Sequence, residues 1–231
     1  MLEAIDLSKR YGGHEALRNL NLSVAQGEIF CLLGQNGAGK TTTINLFLGL
    51  LAATSGKALI NGVEVKPNSN ATSKMIAYIP EVVQLYGNLS GIENLDFFSR
   101  IAGFRYASDV LAEYLLKAGL QEAYHRRPLA SYSKGMRQKV AIAIALSKNA
   151  DFIFMDEPIS GLDPKAAMEF TAICKELSQM GKSIFMATHD IFNAVNVGTK
   201  IGIMKEGRLV YTSDTAAVNA NELQHLYLKT I

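Results

Sequence analysis

The sequence has no apolar run long enough to cross a lipid bilayer. The uncharged stretch at residues 41–56 falls short of the about 20 apolar residues that a membrane helix needs, and it contains Thr and Asn side chains. Acidic residues, Glu3 and Asp6, stand near the start, where a secretory leader has basic ones. We therefore expect a soluble, cytosolic chain that reaches a membrane only if another protein ties it there.

The sequence also lacks a large excess of basic over acidic residues. Lys and Arg number 23 and Asp and Glu number 21, which gives a net charge of +2. A surface that coats nucleic acid is strongly basic, so we expect no nucleic-acid partner. The sequence also lacks internal repeats and low-complexity segments, and its 231 residues are enough for one domain with a sizeable insertion.

Cysteine and histidine are scarce, with two and four residues. Cys31 and Cys174 lie in apolar stretches with no cluster of Cys or His nearby. This pattern predicts reduced core thiols and argues against a disulfide or a metal site. His14, His125 and His225 stand in polar surroundings, and we interpret them as surface residues.

A glycine-rich segment at residues 34–42 carries the clearest chemistry in the chain. It fits G-x-x-x-x-G-K-[ST], and it joins an apolar strand pattern at 29–33 to a helical pattern at 42–48. Backbone N–H groups at such a helix N-terminus bind phosphate. Gly34, Gly37 and Gly39 are predicted to take positive φ, which lets the backbone approach the phosphate oxygens. Lys40 is expected to reach the β- and γ-phosphates, and Thr41 to hold Mg²⁺. The nucleotide-binding residues predicted here are Gly34, Gln35, Asn36, Gly37, Ala38, Gly39, Lys40, Thr41 and Thr42.

The surrounding pattern predicts an α/β chain in a single domain, 1–231. Short strand patterns fill residues 2–33, the pair Asn61-Gly62 indicates a hairpin, and a buried strand is predicted at 152–155. Apolar residues recur at helical spacing between them. We predict an α/β core with a β subdomain at 1–86 and 148–213, an inserted helical lobe at 87–147, and a short C-terminal helix at 214–231.

Tyr11 precedes a Gly-Gly turn on a segment that runs towards the glycine-rich loop. Two interpretations are open at this point. The ring stacks on a nucleobase, or it is a core tyrosine at the end of a strand.

Two adjacent acids, Asp156 and Glu157, follow four apolar residues. Ligands bind beyond the carboxyl ends of parallel strands, so Asp156 is predicted to be a second anchor for the metal. Glu157 points in a different direction and is predicted to accept a proton from the attacking water. The alternative, that one of the two merely caps the next turn, explains the pair less well.

Ser133 is a good N-cap for a predicted helix, but capping does not explain Gly135 in its first turn. Glycine there costs roughly 1 kcal/mol relative to Ala. Close approach of an anion to this helix start is a second interpretation.

Together these motifs resemble the nucleotide-binding subunit of ATP-binding cassette (ABC) transporters. The resemblance covers residues 2–211 and follows the family order of motifs. It implies a P-loop NTPase fold, with a RecA-like parallel sheet core, an N-terminal antiparallel β subdomain and an inserted helical lobe that carries the signature. The matching positions are Tyr11 (A-loop), residues 34–42 (Walker A), Glu81 (Q-loop), residues 132–136 (signature), residues 152–156 with Glu157 (Walker B and its glutamate), residues 160–163 (D-loop) and His189 (switch).

The resemblance implies that two subunits bury two ATP molecules head to tail. Ser133 and Gly135 then contact the γ-phosphate bound by the other chain, and Asp163 couples the two sites. His189 holds the γ-phosphate beside the catalytic Glu157 and Lys40. The implied cofactors are ATP and Mg²⁺.

The sequence departs from the common family pattern at two positions. Glu81 replaces the Q-loop glutamine, and the signature reads Tyr-Ser-Lys-Gly-Met in place of Leu-Ser-Gly-Gly-Gln. Glu81 is still able to coordinate Mg²⁺ or to polarise water. Both departures resemble a branch of bacterial exporter ATPases for drugs, sodium or similar substrates. Glu81 and residues 82–94 are expected to contact the membrane partner.

The implied protein is therefore a peripheral ATPase at the cytoplasmic face of the membrane. It works as a homodimer or a paired cassette with a separate transmembrane permease. One alternative is a soluble ABC ATPase that acts on nucleic acid or ribosomes, but only 92 residues separate Lys40 from Ser133, too few for a long coiled coil. A regulatory subunit without hydrolysis is a third interpretation, which Glu157 and His189 argue against.

Overall fold

A computed structural model describes residues 1–230; the last residue of the predicted C-terminal helix, 231, lies outside the described residues. The strands are β1 (Leu2–Tyr11), β2 (His14–Val24), β3 (Ile29–Leu33), β4 (Ser55–Ile60), β5 (Val63–Glu64), β6 (Ile76–Ile79), β7 (Phe152–Asp156), β8 (Ser183–Thr188), β9 (Lys200–Lys205) and β10 (Arg208–Asp214). The helices are α1 (Lys40–Phe47), α2 (Asn70–Ser73), α3 (Gly91–Ile101), α4 (Ser108–Lys117), α5 (Lys134–Ser147), α6 (Pro164–Gln179), α7 (Ile191–Val197) and α8 (Ala220–Thr230).

The first sheet is antiparallel and has the strand order β2-β1-β4-β5. Its β4–β5 connection is the hairpin that the Asn-Gly pair predicts. Asn61 and Gly62 have φ values of 49° and 76°, and positive φ at both central residues suits a two-residue hairpin turn. This sheet is the predicted N-terminal β subdomain.

The second sheet has the order β10-β9-β3-β8-β7-β6. Strands β9, β3, β8, β7 and β6 are parallel, and β10 joins the edge antiparallel to β9. Every residue of β3, β7 and β8 is buried, which is expected of parallel strands covered on both faces. The parallel P-loop core that the sequence predicts is therefore confirmed.

Four phenylalanines fix α1 and the strands to one another on one face of this sheet. Phe30 stacks on Phe185 at a ring distance of 5.5 Å, and Phe47 of α1 stacks on Phe154 at 5.7 Å. Phe185 also contacts Phe47 and Phe154, so it touches all three other rings. The cluster holds the helix that follows the glycine-rich loop against the strand that ends in Asp156.

The opposite face packs against α5, α6 and α7. Helix α5 also packs against α3 and α4, with which it forms the inserted helical lobe. Ser90 and Glu93 form a capping box at the start of α3, where the Ser90 N–H donates to Glu93 Oε2 at 2.7 Å. Leu95 of α3 and Leu111 and Leu115 of α4, which belong to the helical apolar pattern, are buried. Ile101, which continues that pattern at the end of α3, is 68% exposed, so its predicted place on the buried face is wrong. The exact lobe boundaries at residues 87 and 147 stay a prediction.

The buried thiols agree with the sequence, but one histidine does not. Cys31 and Cys174 are free and buried, and burial raises the pKa of the Cys31 thiol to about 12. His14 and His225 are exposed as predicted. The surface interpretation of His125 is wrong: the residue is 3% exposed, and its Nε2 lies 2.8 Å from the Leu120 carbonyl oxygen. The residues next to His125 in sequence are polar and gave no sign of its burial. The segment packs back onto α3, where the Ile92 N–H donates to the His125 carbonyl oxygen at 3.0 Å.

Residues 1–230 include no helix with the length and hydropathy needed to cross a bilayer.

We expect Phe185→Ala to lower the free energy of unfolding by about 3–5 kcal/mol, because it removes the ring that touches the three others and leaves a cavity. Equilibrium denaturation in urea measures this loss, and we expect the slope of the unfolding free energy against urea concentration to stay unchanged. Phe192→Ala is the matched control, since Phe192 is 57% exposed and its truncation is expected to change stability by no more than about 0.5 kcal/mol. Equal losses in the two variants would show that the ring cluster adds no stability of its own.

Candidate nucleotide-binding site

The glycine-rich loop leaves β3 after Leu33 and enters α1 at Lys40. Gly37 and Gly39 take positive φ values of 84° and 111°, as predicted. Gly34 does not, so that part of the prediction is wrong. Its glycine is required by packing, because an added Cβ would lie 2.7 Å from the Met204 carbonyl oxygen. Gly39 is equally confined, whereas a Cβ at Gly37 would meet nothing within 4 Å. Gly37 therefore marks the open side of the loop.

A cavity of about 370 Å³ opens beside this loop. It brings together residues that lie far apart in sequence and that were predicted to form one site. These are Tyr11, Gln35, Asn36, Gly37, Gly39, Lys40, Thr41, Thr42, Glu81, Asp156 and Glu157.

Tyr11 lies at the rim of the cavity and is 45% exposed, so its interpretation as a core tyrosine is wrong. His14, its partner across the β1–β2 turn, and Ala16 also line the cavity. Sequence reasoning missed both of these residues. Their position just after the predicted aromatic residue was the one available indication.

Lys40 is buried at the floor of the cavity. Its Nζ donates to the Gly34 carbonyl oxygen at 2.6 Å and to that of Gln35 at 3.3 Å. The same atom lies 3.6 Å from Glu157 Oε1. The lysine thus places a positive charge inside the curve of the loop, where an anionic phosphate is attracted.

Thr41 and Asp156 are joined by a hydrogen bond, in which Thr41 Oγ1 donates to Asp156 Oδ2 at 2.9 Å. Burial raises the pKa of Asp156, and the bond from Thr41 opposes that rise. A hydroxyl and a carboxylate oxygen at the edge of the cavity beside the glycine-rich loop fit Mg²⁺, which uses one or two carboxylates and takes its remaining ligands from phosphate and water. The residues present therefore fit the predicted metal.

Glu157 has an unusual backbone, with φ at 45°, and its N–H donates to the Ala187 carbonyl oxygen at 2.9 Å. Its carboxylate lies between two basic groups. Oε1 faces Lys40, and Oε2 lies 2.9 Å from His189 Nδ1. The predicted base and switch histidine are therefore in direct contact, a pairing that the sequence did not reveal.

Ser133, Gly135 and Asp163 lie outside this cavity, and each has a structural role in its own chain. Ser133 caps α5, and Asp163 caps α6 by accepting from the Ala166 N–H at 2.9 Å. A Cβ at Gly135 would lie 3.2 Å from the Ala166 Cβ, a tight contact, so the close approach of α5 and α6 also favours glycine there. Their predicted contacts with a nucleotide held by a second chain stay predictions.

The chain is similar to known proteins of one family. The family model described as ABC transporter matches residues 17–160. The chain is 34% identical to the bacitracin transport ATP-binding protein BcrA of Enterococcus faecalis, over 96% of this chain and 70% of that protein. It is also 34% identical to YbhF of Escherichia coli, named "Probable multidrug ABC transporter ATP-binding protein", over 97% of this chain but only 39% of that longer protein.

Among solved structures, the dimeric post-hydrolysis state of the ATP-binding cassette MJ0796, bound to ADP and Pi, superimposes with a TM-score of 0.81. The two chains are 27% identical, and the match covers 93% of this chain and 99% of that one. The shared fold, the matching family model and the assembled cavity lead to one conclusion. The chain belongs to the ABC transporter family, as one of its ATP-binding cassette ATPases.

Proposed function

We propose that this chain is the ATP-hydrolysing subunit of an ABC exporter, which pairs with a second cassette on binding ATP and powers a separate membrane subunit. The observation that carries the proposal is the cavity in which the glycine-rich loop meets Tyr11, Asp156 and Glu157. In this proposal the residues that line one cavity supply a surface for the nucleobase, a loop for the phosphates, a metal ligand and a general base.

In the proposed site, Tyr11 stacks on the adenine and the loop N–H groups bind the phosphates. Lys40 exchanges its contacts with the loop carbonyls for the β- and γ-phosphates. Thr41 and Asp156 would hold Mg²⁺, with Glu81 at the cavity wall as a further oxygen donor, and the ion would neutralise charge at the phosphates. Glu157 accepts the proton of the attacking water, while His189 fixes the Glu157 carboxylate and contacts the γ-phosphate.

A second copy completes each site in this proposal. Ser133 and Gly135 stand at the N-terminus of α5, away from the cavity of their own chain, so they are free to face a nucleotide held by a partner. The dimeric state of the related cassette MJ0796 supports this arrangement. Asp163 lies on the same side of the chain, at the start of α6, where it couples the two sites.

The proposed membrane partner binds near the start of the helical lobe. Val82 and Tyr86 are exposed apolar residues of the predicted contact segment at 82–94, and Phe97 of α3 is also exposed and contacts the Tyr86 ring at a ring distance of 4.9 Å. The names of BcrA and YbhF, which refer to bacitracin transport and to a multidrug transporter, support a transport role for drugs or similar substrates, and we propose that its direction is export. The chain then works as a peripheral protein at the cytoplasmic face of the cell membrane.

Glu157→Gln tests the proposal most directly. A general base contributes about 10²- to 10⁴-fold to a rate, so we expect turnover to fall by at least about a hundredfold. Binding of ATP should persist, and an ATP-bound dimer should accumulate, as measured by light scattering during gel filtration. The control is Glu176→Gln on the exposed face of α6. Unchanged turnover in Glu157→Gln would remove Glu157 as the base.

Asp156 predicts how the Mg²⁺ effect on nucleotide affinity depends on pH. An ordinary Asp side chain has a pKa of about 3.9. Burial raises the pKa of Asp156, so this residue takes up a proton at a higher pH than an ordinary Asp does. A protonated carboxyl binds Mg²⁺ poorly, so the ratio of ATP affinities with Mg²⁺ and with EDTA should fall as the pH is lowered. In Asp156→Asn the ratio should be close to one at every pH. Fluorescent ATP-analogue titrations measure it, and a full Mg²⁺ effect in Asp156→Asn would contradict the assignment.

Tyr11→Ala should weaken ATP binding by about tenfold, since stacking on a base is worth about 1–3 kcal/mol. Tyr11→Phe keeps the ring and should bind ATP within about twofold of the wild type. Inorganic triphosphate, which has no base, serves as the control ligand in competition titrations. Its affinity should not change in either variant, and an equal loss for both ligands would show that Tyr11 acts through the fold of the loop.

A further inference from the structure

Two side chains of α5 bind the turn that follows Glu157 in the same chain. Lys134 and Gln138 lie four residues apart and so share one face of the helix. Lys134 Nζ donates to the Ser160 carbonyl oxygen, and Gln138 Nε2 donates to that of Pro158 at 2.6 Å. The helix that begins at the signature therefore holds two carbonyl groups within three residues of the predicted base.

The contact of Gln138 is not explained by stability alone. The residue is 1% exposed, and its Oε1 is buried without a donor among the residues that the structure describes. A buried amide with one atom paired and the other unpaired contributes little net stability. The position of its acceptor, next to Glu157, indicates that the contact serves the geometry of the site.

Glu157 depends on this turn for its orientation. Positive φ is rare for a residue with a side chain, and it persists only where the surroundings enforce it. The turn closes on itself, because the Ser160 N–H donates to the Glu157 carbonyl oxygen at 3.1 Å. A shift of the carbonyls at 158 and 160 would therefore displace the Glu157 carboxylate from Lys40 and His189.

Ser160 also links the two positions at which the sequence departs from the common family pattern. Its carbonyl oxygen accepts from Lys134, and its Oγ donates to Glu81 Oε1 at 3.3 Å. A cation in the signature and an anion in the Q-loop position thus stand on either side of one residue of the D-loop.

We propose that Lys134 is a positioning residue for the hydrolytic site of its own chain. Together with Gln138 it fixes the turn after Glu157. The signature helix, whose N-terminus faces the nucleotide of the partner in the proposed pair, therefore also orients the Glu157 carboxylate of its own site. The inference rests on the head-to-tail pair in the proposed function. It makes engagement of one ATP a condition for hydrolysis of the other, through a contiguous set of contacts.

Mixed pairs separate this role from a direct contact with the partner's phosphate. A small amount of chain with intact Glu157 is mixed with a large excess of Glu157→Gln chain, so that almost every intact chain pairs with a chain that cannot hydrolyse. ATP turnover per intact chain then reports a single site. Lys134→Met is placed either on the intact chain or on the excess chain.

On the intact chain, Lys134→Met should lower turnover about tenfold, which corresponds to roughly 1.4 kcal/mol of transition-state stabilisation. On the excess chain it should change turnover by no more than about twofold, a difference of under about 0.5 kcal/mol. Lys134→Arg keeps a donor and should restore most of the activity on the intact chain. Lys139→Met is the matched control, because Lys139 is also on α5 but binds Glu169 of α6 at 2.6 Å. It should leave turnover unchanged in both placements.

Gln138→Met supplies a second test, which separates a role in positioning Glu157 from a role in the stability of the fold alone. It keeps the length of the side chain and removes the donor, so turnover should fall while the melting temperature stays close to that of the wild type. The proposal would be overturned if Lys134→Met lowered turnover as much on the excess chain as on the intact chain, or lowered it only on the excess chain. Unchanged turnover in both placements would also overturn it. Wild-type protein that shows neither ATP hydrolysis nor pairing would instead refute the proposed function, before any variant is tested.

Discussion

The site depends on the register of three neighbouring parallel strands. Leu33 at the end of β3 pairs with Thr188 of β8, and Asp156 at the end of β7 pairs with Ala187 of β8. The glycine-rich loop, the acidic pair and the switch histidine therefore leave the sheet at one level and on one edge. A slip of one residue in any of these strands would turn every side chain to the other face and separate the loop from its metal anchor.

The glycines of the loop serve both phosphate binding and close packing, and the sequence motif does not distinguish these two requirements. Phosphate binding needs backbone that is free of side chains, and Gly37 provides it on the open side. Dense packing needs the same residue type on the other side, where Gly34 and Gly39 lie against the carbonyl oxygens of Met204 and Ala16. A glycine-rich motif thus records both the ligand and the neighbours of the loop, because a missing Cβ serves either purpose.

Sequence reasoning succeeded where the chemistry is local and failed where it depends on distant neighbours. Loop, strand and helix signals near residues 34–42 come from adjacent residues, and the family order of motifs supplied the rest of the fold. His125 was misplaced because its burial comes from contacts with α3 and the Leu120 carbonyl oxygen. Gly135 was explained by an anion alone, since no pattern in the sequence shows that Ala166 of α6 would lie 3.2 Å from a Cβ added at this position. The contact between Glu157 and His189 likewise joins two strand ends and has no trace in either segment.

The two departures from the family pattern are best understood together. Glutamate at residue 81 adds a negative charge near Asp156, and it contributes to the raised pKa of that residue. Lysine at residue 134 adds a positive charge on the far side of Ser160, so the pair leaves the net charge of the region unchanged. Each substitution alone would place an uncompensated charge beside a site that must bind a polyanion and a divalent cation. Because Ser160 contacts both residues and closes the turn on Glu157, the same residue that joins the two charges also positions the base.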